Sequence, residues 1–334
     1  MSDSRLTFAL RSGALHLPQT GPIAVFRPRA GTDLSALPRE RLEIVQGNRA
    51  DHDFWARQGY CTEITAPEDF AAAVVMLPRA KAEARALVAE ASAHGGSVIV
   101  DGQKTDGIDS ILREIRKRAD VSPPVAKAHG KVFQFQAGPG LFADWSLPPV
   151  TRLENGWVTA PGMFSADGPD PASVALAKAL PDRMPGRVAD IGAGWGYLAF
   201  HVLERRDVTE CVLVEVEHAA LEAARQNLHG GRARFLWADA VSWTDSAPFD
   251  HIVMNPPFHT TRAADPALGA AFIATAARNL ASHGTLWIVA NRHLPYEAPL
   301  EAAFGELREV EGTPGFKIFA ARRPRGQSAA SRRH

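Results

Sequence analysis

From about Pro185 onward, short apolar runs alternate with helical stretches, and this alternation restricts the possible fold more than any other feature of the chain. The segments RVADIG, ECVLVEV, ARFLWAD, FDHIVMN and GTLWIVAN are rich in Val, Ile and Leu and bounded by turn residues, which predicts strands; LEAARQNL and AAFIATAARNLASHG predict helices between them. Strands that are apolar at successive positions have no face to give to water. The expected arrangement is therefore a parallel sheet covered on both faces by helices, an α/β doubly wound domain.

The first half repeats this order less legibly. PEDFAAAVVMLPRAKAEARALVAEASAHGGSVIVDGQ predicts a strand ending at Met76-Leu77-Pro78, a helix, a Gly-Gly stop and another strand, the same succession as FDHIVMNPP, a helix and HGTLWIVANR. We read this as an internal duplication in which the first copy has lost its Asn-Pro-Pro and shows no glycine-rich loop before residue 138. QAGPGLFADWSLPPV, dense in Gly and Pro, suits a linker. The expected domains are residues 1–147, a worn copy; 148–324, the intact copy; and 325–334, a basic tail without regular structure.

Composition narrows the function classes. Lys plus Arg and Asp plus Glu both total 37, so bulk electrostatics do not drive nucleic-acid binding, although REIRKR at 113–118 and the Arg-rich tail are local basic patches that suit either RNA contact or solvated surface. Only Cys61 and Cys211 are present, and no HExxH or Cys/His cluster occurs, so neither a disulfide framework nor a structural metal is expected. No apolar run is long enough to cross a bilayer and the first residues lack the blocks of a signal peptide, which predicts a cytoplasmic protein.

VADIGAGWGYLAF places Asp190 at a strand tip, then Gly192, Gly194 and Gly196, then a helix. Glycines at such a bend let the backbone turn sharply and approach a ligand. The dinucleotide fingerprint would need glycine where Tyr197 stands, and an acid facing a helix N-terminus would repel pyrophosphate; it suits the cationic amino-acid moiety of S-adenosylmethionine better. The next strand ends LVEVE, offering Glu215 to ribose hydroxyls beside Val216, and the third ends FLWADA, offering Asp239 to an adenine amino group with the Ala240 backbone N–H beside it.

The fourth strand stops on Asn255-Pro256-Pro257-Phe258. Prolines end strands in many proteins for purely structural reasons, but here the stop falls at the same sheet edge as the glycine loop. The exocyclic amine of a purine is a poor nucleophile because its lone pair is delocalised into the ring. Two fixed acceptors, the Asn255 side-chain oxygen and the Pro256 carbonyl, would let that nitrogen pyramidalise toward a sulfonium methyl, and Phe258 could stack on a base lifted out of its helix.

These residues resemble the class I S-adenosylmethionine-dependent methyltransferases, and more narrowly the bacterial ribosomal RNA guanine-N2 methyltransferases of the RsmC type. The likeness runs through PGMFSADGPDPAS, DIGAGWG, LVEVEHAALEAARQNL, NPPFH, IVANRHLPY and GFKIF. It implies two tandem Rossmann-like methyltransferase domains, the N-terminal one degenerate and serving substrate recognition or support. It implies S-adenosylmethionine at Asp190, Gly192, Gly194, Gly196, Glu215, Val216, Asp239 and Ala240, catalysis by Asn255, Pro256 and Phe258, and contact with the flipped guanine by Pro257, His259, Phe164 and Asp170. The implied partner is 16S ribosomal RNA, within the small subunit, with a monomer as the simplest assembly. Large-subunit RNA, adenine N6, a protein glutamine amide, and a non-catalytic RNA-binding assembly factor are the competing readings.

Overall fold

The computed structural model describes residues 3–257 and 266–325, and the chain divides into two compact units, residues 1–149 and 150–334. The first unit holds the strands β1 (Ile23–Phe26), β2 (Leu42–Val45), β3 (Cys61–Glu63), β4 (Ala72–Met76), β5 (Gly96–Gln103), β6 (Val125–Lys127) and β7 (Gly130–Ala137), with helices α1 (Arg5–Arg11), α2 (Arg49–Arg57), α3 (Lys81–Ser92) and α4 (Ile108–Ile115). In the second, a small hairpin of β8 (Thr151–Arg152) and β9 (Val158–Thr159) precedes β10 (Arg183–Ile191), β11 (Arg206–Glu215), β12 (Ala233–Trp237), β13 (Phe249–Met254), β14 (Leu280–Asn291), β15 (Phe304–Gly312) and β16 (Phe316–Pro324). Its helices are α5 (Pro171–Ala179), α6 (Tyr197–Leu203), α7 (His218–Asn227), α8 (Pro266–Asn279) and α9 (Glu297–Ala303).

The two large sheets have the same topology. The first runs β3-β2-β1-β4-β5-β7-β6 and the second β12-β11-β10-β13-β14-β16-β15; each strand of the second has its counterpart, in chain order, at the same place in the first. In both, the strands up to the fifth pair in parallel, and the last two strands of the unit pair antiparallel to their neighbours. The fold is two tandem Rossmann-like domains, and the shared order supports duplication more firmly than their few identities do. The sheets are mixed where all-parallel ones were expected. Residues 313–315 are too few for a parallel crossover, which needs a dozen or more, so β15 and β16 close as a hairpin.

Burial explains the strand sequences. Ala189 and Ile191 of β10 join one core with Val212 and Val214 of β11, while Val188, Cys211 and Leu213 join another, so successive residues feed opposite faces. Ile252, Val253 and Met254 are all fully buried, each contributing about 1.5–3 kcal/mol. The first sheet behaves likewise, with Ala24 and Phe26 in one core and Ile23 and Val25 in the other.

The helix expected over AAFIATAARNLASHG ends earlier, at Asn279. Asn279 donates to the Thr275 and Trp243 carbonyls and accepts from the Asp245 N–H, leaving Leu280 to enter the sheet opposite Phe249. The strand then slips register around Gly284, where a Cβ would stand 2.9 Å from the Phe249 carbonyl oxygen.

Candidate active site at the carboxyl rim of the second sheet

Parallel pairing gathers the strand ends. Asp190 of β10 lies opposite Leu213 of β11 and Val253 of β13, so the glycine loop, Glu215 and Asn255 emerge along one rim from neighbouring strands about 4.8 Å apart. This is the edge at which open α/β sheets bind ligands.

Asp190 is fully buried. Its Oδ2 accepts from the Ala199 N–H (2.9 Å) in the first turn of α6, and its Oδ1 is a buried oxygen without a hydrogen-bond partner among the described residues. Burial pushes its carboxyl up to about 7; the Ala199 N–H opposes the shift and the nearby Glu215 adds to it. Glu215, also buried, ties the loop from below: Oε2 accepts from the Gly194 N–H (2.8 Å) and Oε1 from the Glu217 N–H (2.9 Å). Burial raises its pKa as well, against the pull of those same N–H groups. Each oxygen keeps a lone pair for a further donor.

Within the loop two glycines do different work. Gly196, at φ +90°, caps α6, and a Cβ there would stand 3.2 Å from both Ala224 and Leu228. Gly194, at φ +54°, has no heavy atom within 4 Å of its missing Cβ among the described residues. Gly196→Ala is accordingly expected to lower stability by about 1–3 kcal/mol, visible as a reduced denaturant midpoint. Gly194→Ala should fold with a loss of only about 1 kcal/mol and show its damage in ligand affinity instead. Equal destabilisation of the two variants would contradict this division.

Val216 is half-buried and its carbonyl accepts from Trp237 Nε1 (2.8 Å). Asp239, half-buried, bonds its own turn, with Oδ1 accepting from the Val241 N–H (3.0 Å) and Oδ2 from Ser242 Oγ (3.3 Å), while Ala240 is buried. Gly192 places its N–H on the Val214 carbonyl (2.8 Å).

The strand terminus carries Asn255, half-buried, then buried Pro256 and exposed Pro257. Asn255 Nδ2 donates both to Asp170 Oδ2 (2.9 Å) and to Ser173 Oγ (2.9 Å), and among the described residues no donor reaches its Oδ1. Asp170 also caps α5, accepting from the Ser173 N–H (2.9 Å), with Pro171 in the first turn. Asp170 thus reaches the site by holding Asn255. The aromatic that follows the prolines, Phe258, and its neighbour His259 lie outside the described residues.

The segment before α5 forms a wall beside the loop. Thr159 Oγ1 donates to the Ala166 carbonyl (2.8 Å) and Trp195 Nε1 to the Ser165 carbonyl (3.2 Å), with Ser165 at φ +55°, and this bend leaves Phe164 60% exposed. Asn227 joins the hairpin to the loop by donating to the carbonyls of Val158 (2.7 Å) and Trp195 (2.8 Å). Ser173 and Asn227 escaped the sequence reading. Ser173 had a signal, since Asp-Pro-x-Ser is a helix-start pattern; Asn227, at the end of LEAARQNL, had none.

In the first unit the corresponding rim is differently furnished. After β1, where the second unit places its glycines, stands Arg27, with Nη1 donating to Gln46 Oε1 (3.0 Å) and Nη2 pairing with Glu83 (3.1 Å). After β4, in the place of Asn255, stands buried Leu77. A hydrocarbon side chain offers no acceptor.

The methyltransferase small domain family matches residues 154–320. Ribosomal RNA small subunit methyltransferase C of Pseudomonas paraeruginosa is 31% identical over 269 residues, 76% of this chain and 80% of that protein. The protein of the same description from Klebsiella pneumoniae is 36% identical over 234 residues, 67% of each chain. Among solved structures, the T. thermophilus 16S rRNA N2 G1207 methyltransferase in complex with AdoMet and guanosine superposes with a TM-score of 0.76 at 24% identity, covering 96% of this chain and 92% of that one, a likeness of fold. No helix among the described residues is long and apolar enough to cross a membrane, and no group of His, Cys, Asp and Glu there could hold a metal ion. With a matching domain over half its length and relatives above 30% identity along most of theirs, the chain belongs to the ribosomal RNA small subunit methyltransferase C family of methyltransferase small-domain proteins.

Proposed function

We propose that the second domain transfers a methyl group from S-adenosylmethionine to the exocyclic N2 of a guanosine in 16S ribosomal RNA, presented within the small subunit. The observation that carries this reading is the Asn255 amide: its nitrogen is tied to Asp170 and Ser173, and its oxygen is left as an acceptor beside the glycine loop.

The rim suits the cofactor. A buried, unpartnered Asp190 Oδ1 and the open side of Gly194 leave an acid that a cationic ligand can ionise and a place for close approach, and the spare lone pairs of Glu215 match ribose hydroxyls. Asp239, Ala240 and Val216, on neighbouring strand ends, would take the base and ribose edge. When bound, S-adenosylmethionine supplies an electrophilic methyl group on a sulfonium. The chain's own residues then have two tasks, to orient the amine and to spread its developing positive charge. Asn255 Oδ1 and the Pro256 carbonyl each accept one N–H, so the nitrogen lone pair turns out of conjugation toward the methyl. The proline ring restricts φ, which stiffens that carbonyl, and contributes no competing donor. Pro257, Phe258, His259 and Phe164 are assigned to the flipped base, with the exposed Phe164 ring as a stacking surface worth about 1–3 kcal/mol. No side-chain base is required, because the proton can leave after transfer.

The first domain, with Arg27 and Leu77 in place of the glycine loop and Asn255, serves recognition or support and binds no cofactor. The protein works as a monomer in the cytoplasm, where the RNA is. The deciding experiment compares ribosomal RNA from a deletion strain with that of its parent by nucleoside analysis. Loss of one N2-methylguanosine from 16S RNA, restored by the wild-type gene and not by Asn255→Ala, is expected; an unchanged modification profile would refute the assignment.

A further inference from the structure

Asn255 carries an oxygen and a nitrogen of nearly equal size at the end of one rotatable bond, and its amide can present either to a substrate. An oxygen pointing outward receives an amine; a nitrogen pointing outward receives a keto oxygen. Isolated, the side chain would sample both.

In this fold the choice is made by α5. Asp170 Oδ2 and Ser173 Oγ converge on Asn255 Nδ2 at 2.9 Å each, and a carboxylate oxygen has no proton to give, so turning the amide over would set two acceptors, Oδ1 and Asp170 Oδ2, against each other. Asp170 is held in turn by its cap to the Ser173 N–H, and Ser173 is buried in the first turn of the helix. The anchor lies 85 and 82 residues from Asn255 in sequence, so it exists only in the folded domain. We propose that Asp170 and Ser173 are positioning residues that lock the polarity of the Asn255 amide, and that through it they make the rim select an exocyclic amine over a keto group. This deepens the assignment to guanine N2 and rests on it. The lock acts on the orientation of an acceptor, so its removal should be felt at the amine and at no other part of the substrate.

Guanosine and inosine differ only by the 2-amino group, and their relative affinity reads the lock directly. Calorimetry on the full-length protein with S-adenosylhomocysteine bound should show guanosine preferred to inosine, and Ser173→Ala and Asp170→Ala should each shrink that preference by about 10-fold while cofactor affinity stays within about 2-fold. Ser173→Ala keeps the helix. Asp170→Ala removes Oδ2, the one oxygen that accepts from both the Ser173 N–H and Asn255 Nδ2, and urea unfolding reads the accompanying loss of the helix cap separately. In a double-mutant cycle on kcat, Ser173→Ala should lower the wild-type rate by about 10-fold and change the residual rate of Asn255→Ala by less than about 2-fold, because a residue acting through Asn255 has nothing to act on once the amide is gone. Equal losses in both backgrounds, or an undiminished guanosine preference in both variants, would overturn the lock and reduce Asp170 and Ser173 to helix stability. If Asn255→Ala has no measurable residual rate, the nucleoside ratio decides. A wild-type protein indifferent to the 2-amino group would instead overturn the guanine-N2 reading itself, and the lock with it.

Discussion

Asn255→Ala is expected to lower kcat for methyl transfer by about 10²–10³-fold, the scale of removing one preorganised hydrogen-bond partner from a reacting group, with S-adenosylmethionine affinity within about 2-fold of wild type. In the proposed reading the cofactor lies over the ends of β10, β11 and β12, while Asn255 stands at the end of β13, beside β10 on the other side. Truncation also deletes two hydrogen bonds to α5, at a cost of about 1–2 kcal/mol in stability, which a urea titration would register separately from the rate. Asn255→Asp makes the sharper comparison. It retains an acceptor oxygen of the same reach but sets a second carboxylate against Asp170, so it should fall with alanine in rate. Near-wild-type turnover by the aspartate variant would mean that an acceptor suffices and that its orientation is unimportant. Near-wild-type turnover by the alanine variant would remove Asn255 from the chemistry.

Asp190→Asn is expected to act on stability and on cofactor binding in opposite directions. Desolvation is the largest cause of the elevated Asp190 pKa, about 7 in the folded protein against an ordinary carboxyl value of 3.8. An acid that keeps its proton when folded and loses it when unfolded makes stability fall as pH rises between those two values, and the loss is complete above the folded pKa. Between pH 5 and pH 8 the Asp190 contribution falls by roughly 2–3 kcal/mol, which asparagine abolishes, since its oxygen can still accept from the Ala199 N–H and it carries no charge to bury. The difference between variant and wild type in urea unfolding should thus grow in the variant's favour from pH 5 to pH 8. Taking the difference matters, because burial lowers the pKa of His251, which slopes stability the other way, and Glu215 adds a slope of the same sign that the variant retains. A flat difference curve would mean that Asp190 is ionised in the free protein.

Cofactor binding has the reverse sign. A cationic ligand favours ionised Asp190, so S-adenosylmethionine affinity in the wild type should rise with pH through about 7 and then level, with proton release on binding; Asp190→Asn should bind weakly and without that dependence. Isothermal titration in buffers of different ionisation enthalpy measures the released proton. On the proposed reading, Asp190 is a buried acid that weakens the free protein and gains a partner from the ligand, the kind of stability cost that binding sites retain.

Much of this was readable from the order of residues alone. Strands apolar at successive positions announced a sheet buried on both faces, and Val188 to Ile191 and Cys211 to Val214 do feed two cores. The glycines of DIGAGWG announced a bend between strand and helix, because φ values of +75°, +54° and +90° are open to glycine and to few other residues. These features depend on neighbours within a few residues. The antiparallel edge made by β15 and β16 was not read, since a run such as FKIFAARRP looks the same in either direction. Nor was the early end of α8, where Asn279 is held by Trp243 and Asp245, more than thirty residues upstream.

The amino-acid order therefore specified where strands stop, where the backbone can bend tightly and which polar groups stand at the stops, because those properties are set by the φ, ψ and hydrogen-bonding capacity of adjacent residues. Which way those polar groups face was decided by folding. Asn255 became an acceptor when α5 brought Asp170 and Ser173 against its nitrogen, and Asp190 lost its easy ionisation when full burial in the folded domain closed water out. Both outcomes depend on partners distant in sequence and on exclusion of solvent, and a linear chain has neither until its sheet is assembled.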